Sequence, residues 1–252
     1  LIQGRTKIAI TGNVIFQIIK KNQETINGKC YRTYVLEEGD QIDILATKNS
    51  AYGYMALEGG FDIKPFCKSI SILSRAQIGP NQGKKIKIGD KINIKTNSKN
   101  KKNFLTKFSN KNKKTIRVLK GPQFDYFSTE SKKDFFSKDY KITNLTDRMG
   151  MRLEGTTIKN ILSPNIRSEG ITKGAIQVPA DGQPIVLLTD YPTIGGYPKI
   201  ANVISADYHL LAQKMPGEKI SFKNVELNEA EQLYKEHLNN ISQIIENIKE
   251  TN

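Results

Sequence analysis

Short segments of alternating hydrophobic and polar residues recur along most of the chain and predict a mainly β protein. Alternation of this kind, bounded by Gly, Pro, Asn and Asp, is typical of half-buried strands. The predicted strands are Lys7–Thr11, Tyr31–Leu36, Tyr52–Leu57, Thr115–Leu119, Ile142–Asn144, Arg152–Glu154, Ala175–Val178 and Ile185–Leu188. Helical periodicity is confined to two short pieces, Thr129–Phe136 and Ala206–Gln213, and to the C-terminal end of the chain.

One seven-residue phrase occurs in three similar copies. The copies are Glu38-Gly-Asp-Gln-Ile-Asp-Ile44, Ile88-Gly-Asp-Lys-Ile-Asn-Ile94 and Pro216-Gly-Glu-Lys-Ile-Ser-Phe222. Each joins a Gly–acid pair, which favours a turn, to the alternation of a strand. Two copies precede a stretch rich in lysine and asparagine, and one follows it. We therefore expect two β-barrel-like domains, the first in 1–96 and the second in 115–225.

The segments outside these domains have different patterns. Residues 97–114 lack a hydrophobic period and are predicted to be a loop or linker. The tail, 226–252, is predicted to be helical because its hydrophobic residues follow a three–four spacing. These residues are Leu227, Ala230, Tyr234, His237, Ile241, Ile244 and Ile248. A helix that docks on its own domain and a helix that binds a partner both fit this spacing.

The composition argues against several classes of protein. No hydrophobic run approaches the ~18 residues of a membrane span, and no secretory or transit segment is recognisable. The cysteines, Cys30 and Cys67, and the histidines, His209 and His237, do not have the number or spacing of a disulfide framework, a zinc site or a His-based catalytic triad. A cytoplasmic protein without a membrane association or a metal site is expected.

The net charge of +14 raises the question of nucleic-acid binding. Of the 39 basic residues, 32 are lysine and 7 are arginine. Nine of them crowd into 97–120 without an acidic residue, and without that stretch the net charge is +5. The arginine forks and aromatic platforms that read bases are scarce. We therefore expect a solvated linker rather than a nucleic-acid partner.

The stretch Gly174–Lys199 is the most informative one for function. Its two predicted strands flank the turn Pro179-Ala-Asp-Gly182, and the loop Tyr191–Lys199 holds two glycines and two prolines. Glycines let a backbone approach a ligand closely, and prolines fix the shape of a loop. The polar residues around these turns are Gln177, Asp181, Gln183, Asp190, Thr193 and Lys199. Such a set is typical of a binding site, although two plain β-turns in a barrel would have the same spacing.

Four motifs of the chain are familiar as a set: Gly121-Pro-Gln-Phe-Asp125, Thr146–Gly155, Gly174–Asp190 and Gly195-Gly-Tyr-Pro-Lys199. Together they resemble the allophanate-hydrolase-subunit-2 family, which includes the C component of prokaryotic 5-oxoprolinase, KipA-type proteins and the carboxyltransferase region of urea carboxylase. The resemblance runs to about Phe222 and implies a mainly β fold of two cyclophilin-like β-barrel domains with short helices and a C-terminal helix. Relatives continue ahead of the position of Leu1, so the first barrel is expected to be N-terminally truncated. Lys68–Ile72 also departs from the Gly-Ser-x-Ser-Thr of relatives.

The resemblance implies a subunit of an ATP-dependent 5-oxoprolinase, which converts 5-oxoproline, ATP and water to glutamate, ADP and phosphate. It also implies a KipI-type partner subunit and a third subunit of the LamB/YcsF type. Two alternatives stay open: a carboxyltransferase component that uses biotin on a separate carrier, and an inactive regulatory or binding fragment. No Walker-type phosphate loop occurs, so ATP would be bound by an unfamiliar set of residues or by a partner.

Opening a stable lactam calls for a cation, donors for a developing oxyanion and a carboxylate. The candidate catalytic residues are Lys199 as the cation, Asp181 as the proton-handling or orienting carboxylate, and Arg148 as the group that grips the substrate carboxylate. The candidate substrate-binding residues are Gln177, Gln183, Asp190, Thr193, Gly195, Gly196 and Tyr197. The structural alternatives are a turn-forming role for Asp181, a salt bridge from Arg148 to Asp147 or Glu154, and a packing role for Tyr197.

Overall fold

The computed structural model describes residues 1–95, 102–108 and 113–251 of the chain. They form two compact units: the first contains 1–48, 52–95, 102–108 and 247–251, and the second contains 49–51 and 113–246. The predicted linker, 97–114, lies partly outside the described residues, and Asn103–Leu105 within it forms a strand. The division into barrel, linker, barrel and helical tail otherwise stays a prediction.

The first unit is built from two small antiparallel sheets. Its strands are β1 (Thr6–Thr11), β2 (Val14–Ile19), β3 (Thr25–Asn27), β4 (Thr33–Leu36), β5 (Gln41–Thr47), β6 (Tyr54–Leu57), β7 (Asn103–Leu105) and β17 (Lys249–Thr251). One sheet has the strand order β4-β1-β6 and the other has the order β3-β2-β5, while β7 pairs with β17. Within the described residues these sheets stay open.

The first unit buries little hydrophobic surface. Its core consists of Ile8, Ile10, Phe16, Ile18 and Leu36, with a few partly buried neighbours. The outer strands β5 and β6 expose large hydrophobic side chains, namely Ile44, Leu45, Tyr54 and Met55. The first unit is therefore thinly packed among the described residues, and the incompleteness of a first barrel stays a prediction.

The second unit contains a closed barrel. Its strands are β8 (Thr115–Lys120), β9 (Tyr140–Thr146), β10 (Gly150–Glu154), β11 (Glu169–Gly170), β12 (Ala175–Gln177), β13 (Ile185–Leu187), β14 (Ile194–Gly195), β15 (Lys199–Val203) and β16 (Lys219–Asn224). Among the described residues, seven strands close in the order β10-β13-β12-β15-β8-β16-β9. β8 and β16 run parallel, with Thr115 opposite Ser221, and the other neighbours in the barrel are antiparallel. The prediction of a mainly β fold is confirmed.

The barrel buries β12 on both of its faces. Ile176 and Val178 belong to the main core, which includes Ile116 and Phe222. Ala175 belongs to a second cluster on the other side of β12. A strand buried on both faces favours hydrophobic residues at successive positions, and Gln177 is the exception in this segment.

All three copies of the repeated phrase form a turn at their glycine, but only the first and third copies continue into a strand. Their glycines, Gly39, Gly89 and Gly217, have φ values of +93°, +90° and +91°, a left-handed conformation that glycine adopts without steric cost. The first and third copies lead into β5 and β16, as predicted. The prediction of a strand is wrong for the second copy, where Ile94 forms a bridge to Phe61 and Ile88 is fully exposed. Alternation forms a strand only where a neighbouring strand and a packed surface support it.

Three α-helices of the second unit overlap the predicted helical segments, but the prediction of a helical tail over 226–252 is wrong for Lys249–Thr251, which forms β17. The helices are α1 (Thr129–Ser137), α2 (Tyr208–Ala212) and α3 (Leu227–Glu246). Ala230 of α3 packs on a small core of the second unit, and His237 stacks on His209 of α2 with ring centroids 4.5 Å apart. No helix among the described residues combines the length and the apolar character that crossing a membrane requires.

Candidate functional site

Lys199, the first residue of β15, is the most deeply buried charged residue among those that the sequence singled out. Its side chain is 7% exposed. The backbone around it is fixed by Gln123, whose Oε1 accepts from the Lys199 N–H (3.2 Å) and whose own N–H donates to the Lys199 carbonyl (3.3 Å). Gly121 makes this approach possible, since a Cβ at that position would lie 2.2 Å from the Lys199 carbonyl oxygen. The motif Gly121–Asp125 therefore sets the position of Lys199.

The ammonium group of Lys199 is paired with Glu169 of β11. Lys199 Nζ donates to Glu169 Oε1, and Gln123 Nε2 donates to the same oxygen at 2.8 Å. Lys199 first, and then Gln123, hold the pKa of Glu169 below its usual value. Because the Glu169 side chain is 44% exposed, the pair joins a buried cation to a carboxylate that is still partly in water.

Gln177, the last residue of β12, lies opposite Lys199 in the sheet. The residue is 5% exposed, and its Nε2 has no hydrogen-bond partner within the described chain. Leaving a buried donor unpaired costs about 1–3 kcal/mol. Side chains alternate along a strand, so Gln177 shares a face with Ala175, outside the barrel interior. A buried and unsatisfied amide donor thus lies on the strand next to the lysine.

β11 and β14 form a short ribbon beside this amide. Glu169 pairs with Gly195 and Gly170 pairs with Ile194. A Cβ on Gly195 would lie 2.6 Å from Gln177 Nε2, so the ribbon can approach the amide this closely only because that residue is glycine. The ribbon therefore brings Glu169 to Lys199 and Gly195 to Gln177 at the same time.

The rest of the loop before β15 is held mainly through its backbone. The Gly196 carbonyl accepts from the Ile166 N–H at 2.8 Å, and the Thr193 carbonyl accepts from the Ile171 N–H at 3.2 Å. Tyr197 is 40% exposed. The substrate-binding roles of Thr193, Gly196 and Tyr197 stay predictions.

Asp181 and Gln183 have partners of their own in the turn after β12. Asp181 Oδ2 pairs with Arg152, and its Oδ1 accepts from the Gln183 N–H at 3.1 Å. Gln183 bonds both backbone groups of Gly155, accepting at 2.9 Å and donating at 3.3 Å. This geometry favours the turn-forming role of Asp181. The catalytic role of Asp181 and the substrate-binding role of Gln183 stay predictions.

Arg148 and Asp190 form a two-pronged ion pair at the opposite end of β13. Arg148 Nε lies 2.9 Å from Asp190 Oδ2, and its Nη2 donates to Oδ1 at 3.0 Å. Asp147, which the sequence suggested as a partner for Arg148, accepts from the N–H groups of Met149 and Gly150. The fork between Arg148 and Asp190 ties the loop before β10 to the loop after β13, and a role of either residue in binding substrate stays a prediction.

The structure thus brings together three predicted residues, Gln177, Gly195 and Lys199, and adds Gln123 and Glu169, which the sequence did not identify as site residues. We call these five residues the Lys199 site. Gln123 lies in a motif that the family resemblance singles out, so a signal for it existed. Glu169 lies in an irregular segment without a pattern of its own. No group of three or more His, Cys, Asp or Glu side chains in the described parts of the chain is arranged to hold a metal ion.

Comparison with known proteins places this chain in one family. The model of the family described as "Carboxyltransferase domain, subdomain A and B" matches residues 1–224. The C component of 5-oxoprolinase from Escherichia coli is 33% identical over 198 residues, which are 77% of this chain and 63% of the relative. The Haemophilus influenzae protein of the same name is 33% identical over 222 residues, 88% of this chain and 72% of the relative.

A solved structure shares the fold. The crystal structure of Kluyveromyces lactis urea carboxylase superimposes with a TM-score of 0.82 at 23% identity, over 96% of this chain and 23% of that chain. The chain thus spans 63% of the length of its E. coli relative and a smaller part of this larger enzyme. Because the family model matches most of its length, the chain belongs to the family of carboxyltransferase domains, subdomains A and B.

Proposed function

We propose that this chain is the C component of an ATP-dependent 5-oxoprolinase and that it binds the lactam substrate. The complete reaction converts 5-oxoproline, ATP and water to glutamate, ADP and phosphate. Two relatives that are 33% identical bear the name of this component. The observation that carries the proposal is the buried Lys199 beside the unpaired amide of Gln177.

5-Oxoproline has two groups that match these side chains. Its carboxylate suits Lys199, because a cation with little access to water attracts an anion more strongly than a surface lysine does. Its lactam oxygen suits Gln177 Nε2, which has hydrogens to donate. When water attacks the lactam carbon, negative charge develops on that oxygen, and a fixed donor stabilises it. Lys199 therefore orients the substrate, and Gln177 polarises the lactam C=O bond, which makes its carbon more open to attack before the C–N bond breaks.

ATP fits the Lys199 site poorly. A triphosphate is usually held by several cations, backbone N–H groups and a metal ion, whereas the Lys199 site contains a single cation, Lys199 itself. The two arginines of the motif Thr146–Gly155, Arg148 and Arg152, are paired with aspartates. We therefore assign nucleotide binding to the KipI-type subunit or to the third subunit of the LamB/YcsF type, within a cytoplasmic hetero-oligomer.

A carboxyltransferase is the second candidate, and the description of the family favours it. In that reaction a separate carrier would present carboxybiotin, and the carboxyl group would pass to urea or a related amide. Lys199 would hold the carboxylate and Gln177 the ureido oxygen. The third candidate, a regulatory or binding fragment without activity of its own, predicts ligand binding without turnover.

The first test is release of ADP from the chain mixed with its KipI-type and third subunits. We expect release that depends on 5-oxoproline and that Lys199→Ala lowers by about 100-fold or more, the loss typical of a misplaced substrate. Lys223→Ala, which removes an exposed lysine of β16, is the matched control. Urea with a carboxylated biotin carrier replaces 5-oxoproline in the parallel reaction. Transfer to urea without 5-oxoproline-dependent release would favour the carboxyltransferase, and silence of both reactions would overturn enzymatic activity.

A further inference from the structure

The Gln177 side-chain amide is buried without a hydrogen-bond partner in the described part of the chain. Most buried polar atoms in folded proteins have a hydrogen-bond partner, yet Gln177 Nε2 has none among the described residues although Gln177 is only 5% exposed. A methionine would fill similar volume without a buried donor. Glutamine at position 177 therefore costs stability, and an acceptor oxygen from a bound ligand would remove that cost.

The Glu169 carboxylate occupies the position that a ligand carboxylate would take. It reaches Lys199 from the ribbon, not from the barrel, and the Glu169 side chain is 44% exposed. If a ligand carboxylate replaced it, Lys199 would keep one negative partner and Glu169 would gain full hydration. The exchange leaves the charge balance at the buried ammonium unchanged, so its net electrostatic cost is small.

The ribbon that carries Glu169 is short and largely exposed. Two residue pairs join β11 to β14, one backbone hydrogen bond continues the pairing on each side, and Glu169, Gly170 and Ile194 are exposed. Gly170, Gly195 and Gly196 leave the backbone free to change its dihedral angles. Segments with few buried contacts and exposed backbone hydrogen bonds open at low free-energy cost. Opening this ribbon would uncover Gln177 and release Lys199 in one movement.

We infer that the β11–β14 ribbon is a lid over a binding site for a small molecule that carries both a carboxylate and an amide carbonyl. Glu169 holds Lys199 while the site is empty, the ligand carboxylate displaces it, and Gln177 Nε2 donates to the amide oxygen. The choice of 5-oxoproline as the ligand rests on the proposed function, whereas the lid and the exchange rest on the geometry.

Direct binding to the whole chain tests this inference without turnover. We would titrate the chain calorimetrically with 5-oxoproline, with 2-pyrrolidinone, which has the lactam but no carboxylate, and with acetate. We expect 5-oxoproline to bind more tightly than either fragment. Glu169→Gln removes the competing charge and should tighten 5-oxoproline binding by about ten-fold or more, the worth of one charged hydrogen bond. Glu154→Gln, at an exposed position of β10, is the control and should leave the affinity unchanged.

The Gln177→Met variant distinguishes a ligand-binding role of the Gln177 amide from a purely structural role. We expect 5-oxoproline affinity to fall by about ten-fold or more while the melting temperature of the free chain stays the same or rises. A lower melting temperature with unchanged affinity would overturn the inference, and so would a Glu169→Gln variant that binds 5-oxoproline no better than the parent. A chain that shows both expected binding effects but gives no ADP release with its partners would support the lid and overturn the proposed function.

Discussion

Replacement of Gly121 by alanine should damage the Lys199 site through the backbone alone. Gly121 follows β8 and donates to the Ile200 carbonyl at 2.9 Å. An added Cβ would lie 2.2 Å from the Lys199 carbonyl oxygen and 2.9 Å from the Ala201 nitrogen, whereas ordinary van der Waals contact begins at 3.4 Å. These atoms belong to β15 and cannot rotate away, so the start of that strand must move by roughly 1 Å.

The cost of that movement follows from overpacking of a tight interior. We expect Gly121→Ala to lower the free energy of unfolding by about 1–3 kcal/mol, which corresponds to a fall in melting temperature of roughly 2–12 °C for a domain of this size. A shift of about 1 Å at Lys199 should also reduce 5-oxoproline-dependent turnover by about 100-fold. Urea unfolding followed by circular dichroism and the ADP-release assay measure the two effects.

Gly170→Ala is the matched control, because a Cβ there would meet no atom within 4 Å. Its stability should stay within about 0.5 kcal/mol of the parent. If Gly121→Ala unfolded at the same urea concentration as Gly170→Ala and kept normal turnover, β8 and β15 would not be as close at Lys199 as the structure has them, and the steric argument would fail.

Three further predictions concern the second unit. The Tyr140 hydroxyl is buried without a hydrogen-bond partner among the described residues, and burial raises its pKa. Tyr140→Phe should therefore leave the melting temperature unchanged or raise the free energy of unfolding by up to about 1 kcal/mol. A clear loss of stability in this variant would show that the hydroxyl has a hydrogen-bond partner. Burial first, and the neighbouring His237 second, lower the pKa of His209, so the unfolded chain takes up a proton near pH 6.5 while the folded chain does not. The free energy of unfolding should fall as the pH drops below about 6.5. His209→Gln should flatten this pH dependence. Equal slopes of unfolding free energy against pH in the parent and the variant would contradict the prediction. Asp181→Asn should weaken the exposed pair with Arg152 by less than about 1 kcal/mol and keep turnover within about two-fold, whereas loss of turnover in a folded Asp181→Asn would restore its predicted catalytic role.

Local pattern predicted several strands and helices, but it missed β2 and β15, although both contribute residues to a core. Lys7–Thr11 and Thr115–Leu119 became β1 and β8, and Thr129–Phe136 became α1. Ile88–Ile94 carries the same alternation but stays irregular apart from a single bridge between Ile94 and Phe61. The hydrophobic pattern shows that a segment is able to form a strand, and contacts with neighbouring strands determine whether the strand forms.

The candidate site was harder to predict because its key contacts join distant parts of the chain. Lys199 meets Glu169 across 30 residues and Gln123 across 76. An aspartate such as Asp181 looks the same in sequence whether it forms a turn or binds a ligand, since both kinds follow strands and precede glycine. The sequence singled out the glycine loop at Gly195, whereas Glu169, the partner of Lys199, became visible only in the folded barrel.

The parallel pairing of β8 with β16 has a consequence for how the second unit forms. Thr115 and Ser221 face each other across 106 residues, so the barrel cannot close until its last strand has left the ribosome. Contacts between distant residues slow folding because a long loop must be ordered before they are made. Until then the edges of β8 and β9 stay open to other chains. A polypeptide that stops before β16 should therefore aggregate rather than persist as a smaller barrel, and the yield of this protein should depend on protection of those edges during synthesis.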